Sequence, residues 1–371
     1  MTSAETAAFV ARGCCHVYYA LDIGFAVDLK RCAGLIQEAR AEDGFHHHAR
    51  TPAYLNLLPP PVRISQAIEP IRGRTFLTED TVTITVYDFG AVSVGYRVPF
   101  EGTLDHLAAL SSELYDNPRF AADARARAES LLVAIGPAVR RAKVREATED
   151  YLIFTLPSPG EDAGGPEKFL RDHSHVLAQV LSSNTKALSR QQRREELSRR
   201  IAYYGDDLTI ITWNAALVFG TNMEDVLTVL ELANVQLREL HYLDDQLDDS
   251  LQESYDIRVR AKSVKASMRR IRELMLDGQA FSEAVTNAFK PFPDAFLARV
   301  YALASRALGL KNFNRSIKDK LSLLNMLYTT LSDAADHARS LRLEWIVIVL
   351  ILVEIIMAFW EKFLPLVHLH Y

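Results

Sequence analysis

The chain has 371 residues, 49% of them hydrophobic and 24% charged, with a net charge of −5. That length accommodates two or three domains with cores of their own, and the near-balanced charge gives no global case for nucleic-acid binding. Three cysteines, Cys14, Cys15 and Cys32, make no disulfide framework, and the opening MTSAETAAFVARGCC lacks the basic-then-apolar layout of a secretion signal, so a body kept in a reducing, cytosolic setting is expected.

Residues 15 to 155 read as α+β. CHVYYALDIGFAVDL (15–29) and TVTITVYDFGAVSVGYRV (81–98) are rich in β-branched and aromatic residues in near alternation, and the second carries a turn signal at Asp88, Phe89 and Gly90. Helical patterns run from Lys30 to Ala41, from Thr103 to Leu114 and over 120–132, and DYLIFTL (150–156) reads as a closing strand. A small mixed sheet with helices on one face is the simplest packing of this order.

PSPGEDAGGP, Pro157 to Pro166, concentrates the two residues that punctuate regular structure. It divides the chain into an α+β domain (1–156), a linker (157–167) and a mostly helical domain (168–340). Ser189 and Gln192 are spaced as a capping box before RREELSRRIAYY. Within the helical region Leu208 to Trp213 is apolar enough for a strand returning to the first sheet or for a buried helical turn, and its pattern does not separate the two.

Two stretches lack helix breakers, Thr221 to Asp277 and Lys311 to Leu364. In the first, Met223, Val226, Leu230, Ala233, Leu237, Leu240, Leu247 and Leu251 follow a 3-4 spacing. In the second, Ile317, Leu321, Leu324, Tyr328, Leu331, Ala335, Ala338 and Leu341 do the same, which predicts a long coiled-coil-like helical hairpin. Pro291 and Pro293 punctuate shorter helices between them.

From Trp345 to Leu364 the chain is apolar over a length matching a bilayer core of about 30 Å, with Trp345 and Trp360 near its ends. One transmembrane helix is therefore expected over 345–364, single-pass, with the N-terminal body on the cytosolic side, since Arg339 and Arg342 precede it and only Lys362 follows. Glu354 falls near its centre, where a carboxylate costs about 3 kcal/mol and usually faces protein. The face it shares with Val347, Leu350, Ile351, Met357, Ala358 and Glu361 is the expected interface, toward membrane lipid, a second copy of the chain or an unidentified protein partner.

RLEWIVIVLILVEI (342–355), SHVLAQV (174–180), VYDFGAVSVGY (86–96) and, more loosely, YDIRVR (255–260) resemble segments of the family of membrane-associated proteins named for being required for meiotic nuclear division. YLDDQLDDSLQ stands where that family carries a tryptophan-rich stretch, which places the chain on a divergent branch. The resemblance implies membrane association and a role in organelle organisation or mitochondrial translation, and it supplies no catalytic residue.

The remaining chemistry is local. His46, His47 and His48, with His16 and the three cysteines, offer zinc-ligand types without zinc-ligand spacing, and neither phosphate-cradling glycine motif occurs. His175 and Gln179 would share a helical face, either as a ligand site or as one hydrogen-bonded histidine on a packed helix. RVRAKSVKASMRRIR (258–272) places Arg258, Lys262, Lys265, Arg269 and Arg272 on one helical stripe, which suits ion pairs along a solvated helix, anionic lipid or RNA. The sequence thus points to a membrane-anchored, oligomerising scaffold with no cofactor. The alternatives are a ligand-binding or hydrolytic α+β domain around His175, and RNA or anionic-lipid binding by the basic stripe.

Overall fold

The computed structural model describes residues 11–39, 45–47, 59–159, 164–220, 223–260, 268–269, 271–273, 275–279 and 294–367. Its strands are β1 (Ala11–Asp22), β2 (Ala26–Val27), β3 (Phe45–His47), β4 (Val62–Ala67), β5 (Thr81–Val86), β6 (Ala91–Gly102), β7 (Val139–Arg140), β8 (Glu149–Leu156), β9 (Arg200–Ile201), β10 (Leu208–Ile211) and β11 (Ala215–Phe219). Its helices are α1 (Leu29–Ala39), α2 (Leu104–Leu114), α3 (Pro118–Ile135), α4 (Gly165–Asp172), α5 (Ser174–Leu181), α6 (Arg190–Glu196), α7 (Glu224–Arg260), α8 (Ala295–Ala307) and α9 (Leu310–Val367). The chain divides into two compact units, 1–244 with 280–315, and 245–279 with 316–371.

The first unit is built on a nine-stranded sheet in the order β3-β4-β5-β6-β1-β8-β11-β10-β9. Neighbours are antiparallel except β8 and β11, which pair in parallel from Ala215 opposite Leu152 to Phe219 opposite Leu156. A parallel pair requires a crossover, and α4, α5 and α6 lie within it. The β5–β6 reversal falls where the turn signal stood: Gly90 has φ +93°, and a Cβ there would meet the Gly24 carbonyl oxygen at 1.9 Å, so only glycine fits.

Period-two alternation sends Cys15, Val17, Tyr19 and Leu21 of β1 to one face, where Val82, Ile84, Val94, Tyr96, Leu152, Phe154 and Leu217 join them in one large core. Helices α1 to α5 close that face with Ile36, Leu107, Phe120, Leu131, Phe169 and Leu177. Local signals set the helix starts. The Thr103 hydroxyl accepts from His106 N at 3.2 Å, and Asn117 caps α3 ahead of Pro118 at N1. At α6 the Ser189 hydroxyl accepts from Gln192 N at 3.1 Å, but the Gln192 amide turns forward to Glu196 Oε1 at 2.7 Å, so half of the expected capping box forms.

The mixed α+β character is as read from the sequence, but the sheet does not end at residue 156. β10 and β11 lie beyond Pro157 to Pro166, and α4 starts inside that stretch, at Gly165. In chain order the Pro/Gly segment falls between β8 and α4, and its residues 160–163 are outside the described residues. The opposite sheet face is covered by α7, whose Leu232 and Val235 meet Ala20, Tyr87, Phe89 and Ala91 in a much smaller apolar cluster. In the same unit Tyr301 of α8 donates to Gln236 Oε1 at 2.5 Å, and Phe313 of α9 packs edge-on to His241 with ring centroids 4.5 Å apart.

In the second unit Leu247, Ile271, Ile317 and Leu324 are buried, and Lys320 Nζ lies 2.7 Å from Asp248 Oδ2. The transmembrane helix expected over 345–364 requires a correction. Among the described residues no helix is long and apolar enough to cross a membrane. The helical backbone continues to Val367, but the apolar run's described side chains, Trp345 to Met357, span only about 20 Å at about 1.5 Å per residue.

Candidate functional site

The sheet face under α7 is where the polar chemistry collects. Thr228, Glu231, Val235, Arg238, Glu239 and Tyr242 share one side of α7 at about 100° per residue. The strand positions that alternate with the apolar core face them: Tyr18 and Asp22 on β1, Arg63 on β4, Thr85 on β5, Ser93 on β6 and Glu149 on β8. Arg63 Nη2 lies 3.1 Å from Glu231 Oε2 and donates to Thr228 Oγ1 at 3.2 Å. At the other end Asp22 Oδ1 accepts from Gly24 N at 2.8 Å while its Oδ2 sits 3.8 Å from Arg145 Nε. Arg145 also donates to the Tyr242 hydroxyl, its guanidinium 4.6 Å from that ring's centroid. On β8, beyond β1 from Arg63, Glu149 Oε2 is 3.0 Å from His241 Nδ1, and Asn234 Nδ2 donates to Glu149 O at 3.1 Å.

Burial dominates the electrostatics of this layer. It pushes the Asp22 carboxyl up to about 6, against the opposing pull of the Gly24 N–H, Arg145 and Arg238. Glu239 is raised well above the carboxylate range by burial and by the Asp22 charge beside it. On the same sheet face His16 is lowered to about 4, by burial and then by Arg97. Among the described residues, the buried side-chain atoms left without a hydrogen-bond partner are Arg63 Nε, Thr85 Oγ1, Tyr87 OH, Ser93 Oγ, Arg145 Nε, Asn234 Oδ1, Arg238 Nε and Glu239 Oε1, and all belong to this layer. Such an arrangement fixes the register of a helix on a sheet by paired charges and takes up protons as pH falls. No thiol is activated on either face: burial raises Cys14 on this one, and in the apolar core it raises Cys15 and pushes Cys32 up to about 12, away from thiolate chemistry. Among the described residues no group of three or more His, Cys, Asp or Glu could hold a metal ion.

Residues 12–225 match the family model described as the N-terminal domain of the uncharacterized protein MJ0711, more than half of the chain. The chain belongs to this family. The MJ0711 N-terminal domain family match begins in β1 and ends in the first turn of α7, so it takes in the sheet and the helices of its apolar face. It overturns the resemblance to the meiotic nuclear division family: VYDFGAVSVGY and SHVLAQV, two of the segments that carried it, lie inside the matched region and belong to a different family. No curated protein and no solved structure matches the chain.

In this member of the family the residues singled out from sequence are dispersed. His175 is exposed on α5, whereas Gln179, one turn on, is buried with its amide donating to Thr185 O at 2.8 Å, so it braces the turn after the helix. His46 and His47 lie on β3, and His48 is outside the described residues. Of the basic stripe, Arg258 is on α7, Lys262 and Lys265 are outside the described residues, Arg269 pairs with Glu273 at 3.1 Å, and Arg272 is exposed. Leu350, Ile351, Glu354 and Met357 are exposed on α9, and the side chains of Ala358 and Glu361 are outside the described residues.

The charged layer was missed because each half reads as a solvated surface. The apolar seam from Val226 to Leu240 marks the opposite side of α7, so Thr228, Glu231 and Arg238 fall on what looks like its wet face. The signal that could have found the layer is the polar alternation of β5, Thr81, Thr83 and Thr85, on a strand interior to the sheet.

Proposed function

We propose that this chain is a membrane-anchored, oligomerising interaction protein, its sheet domain displayed at the membrane and its C-terminal apolar helix in contact with lipid and with further copies. One observation carries the reading. Twelve of the thirteen residues from Trp345 to Met357 are large and apolar, and each is between 45% and 66% exposed on α9. Because successive residues turn by about 100°, those side chains cover every side of the helix. At about 1.5–3 kcal/mol for fully burying each such side chain, of which roughly half the surface is still exposed here, covering the run contributes on the order of 10 kcal/mol. An amphipathic stripe would need one neighbouring helix; a helix apolar all round needs lipid or a surrounding assembly.

Glu354 is the break in that run, and it supports assembly through its face, since an acidic side chain among apolar ones is best accommodated against protein. The test is alkaline carbonate extraction of the full chain expressed in its own cells, followed by crosslinking in the membrane fraction. Retention in the pellet, with crosslinked species that decline in Glu354→Leu, is the expected outcome. Release of the full chain into the supernatant would remove the anchor, and crosslinking unchanged in the variant would remove the role given to Glu354.

A further inference from the structure

Away from the apolar run and the charged layer, the first unit holds a cavity of about 350 Å³ where the ends of β10 and β11 meet the starts of α7 and α8. Its floor is apolar, from Phe219, Val226 and Leu297, and its mouth carries Tyr203, Tyr204 and Phe296. These three rings form one group: the tyrosines meet edge to face with centroids 4.6 Å apart, and Tyr203 meets Phe296 the same way at 5.2 Å. Both tyrosines are more than half exposed, so packing does not account for them. The cavity is also one-signed. Asp206, Asp207, Asp225 and Asp294 line it, and among the described residues no lysine, arginine or histidine does.

Two of those carboxylates are held in place by one oxygen each. Asp207 Oδ1 accepts from Tyr203 N at 2.7 Å and Tyr204 N at 3.2 Å, and Asp294 Oδ1 accepts from Phe296 N at 2.6 Å and Leu297 N at 3.0 Å. In both cases the backbone amides engaged belong to the aromatic residues of the mouth or their neighbours, so ring and carboxylate are positioned by the same turn. The second oxygen, Oδ2, is not used in either cap. Fixed carboxylate oxygens, aromatic faces and an apolar floor form the combination that binds an organic cation: the rings attract the charge through their quadrupoles and the floor takes the alkyl part.

We propose that this cavity binds a small organic cation bearing an alkylammonium group, with Tyr203, Tyr204 and Phe296 as the cage and Asp207 and Asp294 as its counter-charges. The capping roles of the two aspartates suggest the informative variant, because asparagine also serves as a cap acceptor. The Asp207→Asn/Asp294→Asn double variant keeps the turns and removes the charge. Binding to the full chain in detergent would be titrated by ligand-observed NMR and calorimetry with choline, and with 3,3-dimethylbutan-1-ol, its uncharged carbon isostere. The expected result is choline binding at least tenfold tighter than the isostere, weakened at least tenfold both in the double aspartate variant and in Tyr203→Leu/Tyr204→Leu, with melting temperatures unchanged. No choline binding at millimolar concentration, equal binding of the isostere, or affinity indifferent to both double variants would overturn the proposal. Should the tyrosine variant prove unstable, the aspartate variant decides alone.

Discussion

The two faces of the central sheet are held by different forces. On one, α1 to α5 bury a continuous apolar core in which Phe120 touches Tyr19, Phe76 and Tyr96. On the other, α7 is seated on Arg63 and Glu149 through ion pairs and hydrogen bonds, and its Tyr242 accepts from Arg145, which itself lies 3.8 Å from Asp22, with a small apolar patch beneath Leu232 and Val235. Apolar burial is stabilising in proportion to area and indifferent to register. A buried ion pair adds little net stability and is satisfied in one register only. The first face therefore holds the fold together and the second determines where α7 sits.

The largest expected effect lies on the apolar face. Phe120→Ala removes a fully buried ring from the junction of α3, β1 and β6 and should cost about 4 kcal/mol in denaturant unfolding. A cost below about 1 kcal/mol would deny that this face carries the stability. The charged face should respond according to how it is cut. Glu231→Ala strands the Arg63 guanidinium and should cost about 3 kcal/mol, whereas Arg63→Met combined with Glu231→Leu replaces the pair by apolar contact and should lie within about 1 kcal/mol of the parent. If the double replacement costs as much as the single one, the pair is a source of net stability and the contrast between the faces fails.

The smallest effect is in pH dependence. Asp22 is raised to about 6 in the folded chain, so the folded state holds its proton more tightly than the unfolded state. Its contribution is fully present below about pH 4 and is lost as pH rises through about 6, a difference of about 2–3 kcal/mol. His16, lowered to about 4, acts in the opposite sense: its contribution is present above about 6.5 and is lost as pH falls through about 4. The two oppose each other between these limits. Asp22→Asn, which can keep the Gly24 turn, should therefore lose stability on acidification across that window relative to the parent, and His16→Gln should gain it. Parallel pH profiles for the parent and both variants would show that neither group titrates inside the fold.

Much of the first face was legible in the sequence, because alternation in β1, β5 and β6 and the turn signal at Asp88, Phe89 and Gly90 are local signals with local causes. β11 was not, since AALVF is as compatible with a buried helical turn as with a strand and its pairing to β8 lies across a long crossover. The charged layer was invisible for a different reason. A polar helix face and a polar strand face each look wet alone, and only the fold shows that they cover one another. The same limit applies to the cavity, whose tyrosines and aspartates come from segments some 90 residues apart in the chain.

On the proposed function, Trp345 to Met357 is covered by lipid. The chain has three tryptophans, Trp213, Trp345 and Trp360, and Trp213→Phe leaves only the two that flank the apolar run. Fluorescence of that variant in vesicles of brominated phosphatidylcholine, against vesicles of the unbrominated lipid, reads the contact directly. Strong quenching by brominated lipid with weak quenching by aqueous iodide is the predicted result. Full accessibility to iodide and indifference to the brominated chains would contradict it.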